Sequence, residues 1–281
     1  MTSSERKELS LAAVKVREGI LTATHAAKCG HPGGSLSAAD VFTYLYFREL
    51  HIDPAAPRWD DRDRFVLSKG HTAPGLYSVL AARGYFPEAE LLTLRQVGSR
   101  LQGHPNMNEL PGVDMSTGSL GQGVSAAAGM ALAAKYQGRT LRVYALLGDG
   151  EIEEGEVWEA MMFAHHHGLD NLCVIIDNNG LQIDGKISEV MSPYPIPEKL
   201  RAFGLHVEEA DGHDFAELER AFARARETKG VPSAIVLKTT KGKGVSYMEN
   251  QAAWHGKAPS DAEYAQGMAE LEALRRELEA E

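Results

Sequence analysis

The sequence predicts an α/β protein: a doubly wound, mostly parallel sheet with helices on both faces, in a single domain over residues 1–281 that ends in an amphipathic helix. Two observations predict it. Short apolar runs bounded by glycine, aspartate or asparagine alternate with helical periodicities from one end of the chain to the other, the pattern of a parallel sheet covered on both sides. And 43% of the 281 residues are apolar, enough to bury a full core.

Each element follows in turn. Residues 5–28 repeat apolar positions at helical spacing and stop at Cys29-Gly30-His31-Pro32-Gly33-Gly34, after which 35–47 reads as a second helix. The strand candidates are 64–67, 142–147, 172–176, 206–208 and 234–237, each a short apolar run with a polar or glycine boundary. Between them, 72–83, 120–136, 155–167 and 215–228 read as helices. A charged amphipathic helix closes the chain at 261–281, introduced by Ser260 with Glu263 three residues on, the spacing of a capping box.

Composition narrows the partners. A formal charge of −10 disfavours nucleic acid and anionic membrane surfaces, which need clustered lysine and arginine, and leaves small molecules and other proteins. The first twenty residues mix charged with apolar side chains and lack a signal-peptide core, and no run approaches 18 apolar residues, so a cytoplasmic location is expected. The two cysteines, Cys29 and Cys173, read as ordinary reduced thiols.

The most informative segment begins where the apolar run 142–147 meets Gly148-Asp149-Gly150. A carboxylate at the carboxyl end of a strand faces the crevice where doubly wound sheets bind ligands. Some thirty residues on, a second strand ends in Asp177-Asn178-Asn179-Gly180, on what is expected to be the neighbouring strand. Asp149 and Asn179 then stand to share one hard cation, with a backbone carbonyl near Leu181, because every available ligand is oxygen; Mg2+ suits that set, with Ca2+ or Mn2+ as substitutes. Met singly, Gly-Asp-Gly and Asn-Asn-Gly are tight-turn tripeptides. Their pairing, each after an apolar strand with room for one crossover helix between, is what points to a ligand.

Gly148-Asp149-Gly150 through Asn178-Asn179 resembles the thiamine-diphosphate signature, and Gly-Asp-Gly-Glu-Ile-Glu-Glu-Gly-Glu-Val-Trp-Glu-Ala is similar to transketolases in particular. The resemblance implies that Asp149 and Asn179 hold the metal by side chain and Leu181 by its carbonyl. It adds Gly148, Gly150, Glu151 and Ile183 to the residues against the cofactor, and it puts Glu154 where the family places a glutamate that links cofactors across subunits.

Four of the eleven histidines sit beside glycine in segments that join elements: Gly30-His31, Gly70-His71, Gly103-His104 and His255-Gly256. Glycine lets backbone approach a ligand, and neutral imidazole both donates and accepts. Their surroundings, Cys29 to Gly34, Leu67-Ser68-Lys69-Gly70-His71, Gly103-His104-Pro105 and Trp254-His255-Gly256, resemble the histidine motifs of transketolases in the same chain order, over about residues 10 to 260. By that resemblance His71 and His255 lie near the diphosphate, and His31 and His104 face the donor sugar. Residues 115–123 resemble the loop that holds the aminopyrimidine, with Gly118 and Leu120 touching cofactor by backbone and Ser119 standing where the family often has proline. Lys241-Gly242-Lys243-Gly244 reads as a phosphate-facing loop or a solvated turn; many members carry an apolar residue at the position of Lys241. His165, His166 and His167 are consecutive on a helix and point about 100° apart, so they form no compact ligand set.

The family enzyme has three consecutive domains, and this chain corresponds to the first. The expectation is therefore a split transketolase, moving a two-carbon ketol unit between sugar phosphates with thiamine diphosphate and Mg2+. The partner is a subunit carrying the pyrimidine-binding and C-terminal domains, in an α2β2 assembly. Two other readings share the signature: the α subunit of a thiamine-dependent 2-oxoacid dehydrogenase, and a non-catalytic thiamine-diphosphate-binding subunit.

Overall fold

The computed structural model describes residues 1–280; Glu281, the last residue of the expected terminal helix, lies outside them. Five strands build the main sheet: β1 (Arg64–Leu67), β2 (Val143–Gly148), β3 (Leu172–Asn178), β6 (His206–Asp211) and β7 (Ser233–Lys238). Their order is β1-β2-β3-β7-β6, and every neighbouring pair is parallel. A two-stranded antiparallel hairpin, β4 (Leu181–Gln182) with β5 (Gly185–Lys186), follows β3.

The strands are apolar throughout because both faces are covered. Alternate residues enter two separate cores: Phe65, Leu67, Tyr144, Leu146, Cys173 and Ile175 on one side, and Val66, Val143, Ala145, Leu147, Val174 and Ile176 on the other. The first core is covered by α1 (Ser3–Ala27), α3 (Ala39–Tyr44), α4 (Ala73–Ala82), α9 (Phe215–Glu227) and α10 (Asp261–Ala280); the second by α5 (Gln122–Tyr136), α6 (Gly155–His166) and α8 (Ile196–Ala202). The doubly wound α/β expectation is borne out.

Local chemistry sets the ends. Thr2 and Glu5 form a reciprocal capping box at the start of α1, and Asp214 accepts from two backbone N–H groups to start α9. α10 lies close against α1 at Gly267, where an added Cβ would come 2.9 Å from Leu21. The helix expected over 35–47 departs from the sequence reading. It begins earlier, as α2 (Pro32–Ser37), because proline at a first turn gives up an N–H that has no helical partner. It breaks at Ala38, where Ser37 bonds back to the Gly34 carbonyl, resumes as α3, and ends in a wider turn over Leu45–Glu49. The helix expected from 120 starts at Gln122, after Gly121 at φ +83°. The sequence reading does not anticipate Glu88–Thr93, α7 (Ile187–Val190), α8 or the β4–β5 hairpin; α8 starts directly after Pro195 and carries Pro197 in its first turn, where the missing N–H costs no helical bond.

A buried network ties α1 and α3 to the strand ends. Arg17 donates two hydrogen bonds to Asp40 at 3.0 and 2.6 Å; His213 Nδ1 lies 2.7 Å from the same carboxylate, and its Nε2 accepts from the Thr240 backbone at 2.9 Å. Burial raises the Asp40 carboxyl pKa, but the charge of Arg17 and the bonds from His213 and Arg17 outweigh it and bring it to about 2. A depressed carboxyl stabilises the fold above its unfolded value near 3.8, and that contribution is lost as pH falls toward about 2. Acid unfolding of wild type should therefore steepen between about pH 4 and 2 by about 2 kcal/mol relative to Asp40→Asn. Parallel acid limbs for the two proteins would contradict this.

Candidate active site

The loops that leave the carboxyl ends of β1, β2, β3 and β7 meet the α2 segment around a cavity of about 290 Å3. This is where open parallel sheets bind ligands, since the loops there converge from several strands. The cavity is lined by His31, His71 and His255, by Lys69 and Lys241, by Gly34, Gly118 and Leu120, by Gly148, Asp149, Gly150 and Glu151, and by Asn179, Leu181, Gln182 and Ile183.

Strand register puts the two acidic turns side by side: Gly148 pairs with Asp177 at the end of the β2–β3 ladder. Asp149 Oδ1 accepts from the Gly150 N–H at 2.9 Å, and its Oδ2 accepts from the Gly180 N–H at 2.6 Å, which joins the loops directly. The Asn179 amide is oriented from both ends. Its Nδ2 donates to Asp177 at 3.3 Å and to Ser37 at 3.4 Å, and its Oδ1 accepts from the Leu181 N–H at 3.1 Å.

Two buried carboxylates support this surface. Asp177 is fully buried and accepts from Lys69, Ser37, Thr239 and Asn179. Burial drives its pKa up, yet the Lys69 charge and these donors hold it below the ordinary aspartate value. Glu151 accepts from Ser68 at 2.5 Å, Gly121 N–H at 3.0 Å and Gly148 N–H at 3.1 Å, so its side chain is engaged in holding three loops together while it borders the cavity.

Asp149 differs from both. Among the described residues no lysine, arginine or histidine lies within ion-pair distance of it, and burial, with the nearby charge of Asp177, raises its pKa to about 6. A buried carboxylate short of positive charge, an amide oxygen and a backbone carbonyl are all hard oxygen donors, and their chemistry fits Mg2+ or Ca2+. Among the described residues no group of three histidine, cysteine, aspartate or glutamate side chains forms a metal cluster of another kind.

His31, His71 and His255 form a triangle with ring centroids 5.1 to 5.3 Å apart. Burial is the first cause lowering each pKa, to about 4 for His31 and about 3 for His255 and well below normal for His71, with neighbouring lysine charge among the further causes, so all three are neutral at pH 7. Lys241 is buried and donates to Leu181 O at 3.3 Å and to His255 Nδ1 at 2.9 Å; burial lowers its pKa to about 8 against the pull of Asp149.

Three of the residues singled out from the sequence lie outside the lining. His104 is exposed in a neighbouring recess with Arg95 and Gly103, touching the cavity only through Gly118, whose added Cβ would come 3.0 Å from its ring. Ser119 and Glu154 are exposed. Conversely, Lys69, Gly34 and Gln182 line the cavity without having been singled out. Lys69 is flagged only by standing between a strand end and Gly70-His71, and Asp177 only by starting the Asp-Asn-Asn run.

The transketolase family model, described as the thiamine diphosphate binding domain, matches residues 10–273. The chain belongs to the transketolase family. It is 47% identical over 243 residues to the 6-deoxy-6-sulfo-D-fructose transketolase subunit SqwG of Clostridium sp. (strain MSTE9), covering 86% of this chain and 88% of that one. It is 41% identical to an apulose-4-phosphate transketolase subunit of Phocaeicola vulgatus, covering 97% of each. Human transketolase is 46% identical over 246 residues, 86% of this chain but 38% of that protein. Among solved structures, transketolase from Campylobacter jejuni superposes with a TM-score of 0.87 at 30% identity, over 99% of this chain and 46% of that one. The chain thus spans the length of the transketolase subunits and less than half that of the longer transketolases. These relatives disfavour the 2-oxoacid dehydrogenase reading.

Proposed function

We propose that this chain is the diphosphate-binding subunit of a cytoplasmic split transketolase, which transfers a two-carbon ketol unit from a ketose phosphate to an aldose phosphate with thiamine diphosphate and Mg2+. The partner is a subunit with the pyrimidine-binding and C-terminal domains, in an α2β2 assembly. The observation that carries the reading is the Asp149 carboxylate, bonded to the Asn179-Gly180 turn, across one cavity from Lys241 and three neutral histidines.

Asp149, Asn179 and the Leu181 carbonyl would hold the cation, and Lys241 and His255 would meet the diphosphate oxygens with donors. When bound, thiamine diphosphate supplies the carbon centre that takes up the ketol fragment and stores its electrons. Neutral His31 and His71 can donate or accept a proton without first losing one to solvent, which suits alkoxide stabilisation and proton relay. His104, in the adjoining recess, would meet the sugar from the rim, and exposed Glu154 would meet another subunit.

The split-enzyme reading is supported by the names of the two relatives of similar length, one acting on a sulfonated sugar and one on an apulose phosphate. The test is calorimetry and ketol transfer with this chain and its encoded partner together. Thiamine diphosphate should bind in Mg2+ and fail to bind after chelation, and transfer should require both chains. The donor panel includes ordinary ketose phosphates, 6-deoxy-6-sulfofructose and apulose 4-phosphate. Full transfer by this chain alone would overturn the split-enzyme reading, and no binding in Mg2+ with partner present would overturn the cofactor assignment.

A further inference from the structure

We propose that Lys241 is a positioning residue that fixes His255 as the Nε2–H tautomer, so that this ring presents a hydrogen-bond donor to an anionic oxygen in the cavity. The geometry is that of a donor aimed at one ring nitrogen. Lys241 Nζ lies 2.9 Å from His255 Nδ1 and 3.3 Å from the Leu181 carbonyl. An ammonium has donors and no acceptor, so the Nδ1 facing it must carry a lone pair. A neutral imidazole keeps one N–H, which then resides on Nε2. Among the described residues Nε2 makes no hydrogen bond within the chain, and the ring lines the cavity.

The lysine has little freedom to do otherwise. Its side chain is 2% exposed, and an added Cβ on Gly33 would come 3.2 Å from its Cγ and 2.8 Å from the Trp254 carbonyl. The Gly242 N–H donates to the Gly33 carbonyl at 2.9 Å, locking the backbone beside Lys241 to the histidine-bearing loop at residue 31. Another ring in the same molecule shows the opposite arrangement. His213 accepts at Nε2 from the Thr240 N–H, so its proton sits on Nδ1 toward Asp40. Two histidines flanking one loop are thereby set to opposite tautomers by their backbone and lysine partners. What His255 donates to, a phosphate oxygen or an alkoxide, rests on the cofactor reading above; the tautomer itself does not.

The experiment is a long-range proton–nitrogen correlation spectrum of the 15N-histidine-labelled chain at pH 7 without cofactor, with His255 assigned by its loss in His255→Gln and His213 as the contrasting ring. Wild type should show the protonated-nitrogen shift on Nε2 of His255, favoured about tenfold to a hundredfold, the range expected of one hydrogen bond to a charged group. Lys241→Met should bring the two tautomers toward equality, and Lys241→Arg, whose guanidinium also only donates, should restore the preference. A proton on Nδ1 of wild-type His255, or an unchanged ratio in Lys241→Met, overturns the proposal. If Lys241→Met fails to fold by circular dichroism, the wild-type and Lys241→Arg spectra still decide it. An Nε2–H tautomer in a wild type that binds no thiamine diphosphate even with partner and Mg2+ upholds this inference and removes the cofactor reading alone.

Discussion

Replacing Lys69 with methionine will destabilise the protein by about 3–5 kcal/mol, the cost of leaving a buried charge without its partner. Lys69 is 2% exposed, and the Asp177 carboxylate that it neutralises is wholly inside. Without the ammonium, Asp177 keeps the hydroxyls of Ser37 and Thr239 and the amide of Asn179, which hydrogen-bond the charge but do not cancel it. Urea unfolding of wild type and variant gives the difference directly. The double variant Lys69→Met with Asp177→Leu should recover part of the loss, because removing both charges costs far less than removing one. A single-variant change below about 1 kcal/mol would mean that the pair is not what holds the cavity floor.

Asp149→Asn will separate binding from stability. Loss of a carboxylate ligand should weaken Mg2+-dependent cofactor binding by at least about 100-fold, beyond the usual effect of disturbing a residue behind a metal ligand. In metal-free buffer the same variant should be more stable than wild type at neutral pH. The sign follows from the raised pKa of Asp149, about 6 against 3.8: the folded state resists ionisation, so the residue costs nothing below pH 4 and its penalty grows as pH rises through about 6. Fully developed, that penalty is about 3 kcal/mol, reduced by whatever bonds from Gly150 and Gly180 the amide cannot keep. Thermal melts with and without Mg2+ test both halves. A variant that binds cofactor normally, or one that is less stable at pH 7 without metal, would count against the assigned role.

The fold was legible because its strands are buried on both faces and therefore read as uninterrupted apolar runs, as 172–176 does. Asp149, Asn179, His31, His71, Lys241 and His255 were legible because each stands in a short polar segment, most beside glycine, and the fold gathers those segments at one edge of the sheet. What the sequence hides are contacts made across long separations. Lys69 and Asp177 are 108 positions apart, and nothing local to either announces the other. Glu151 could be placed beside the ligand, but only the fold shows its oxygens engaged by Ser68, Gly121 and Gly148. Ser37, beside the interruption at Ala38, likewise gives no local sign that its hydroxyl reaches a carboxylate 140 residues away.

Four separate stretches of chain supply the donors that converge on Asp177. A change in one of them alters what the other three must satisfy, so these positions should drift through descendants of this sequence as a set. A mutational library built to retune the site will recover functional members more often if 37, 69, 177 and 239 are randomised jointly than if each is scanned alone.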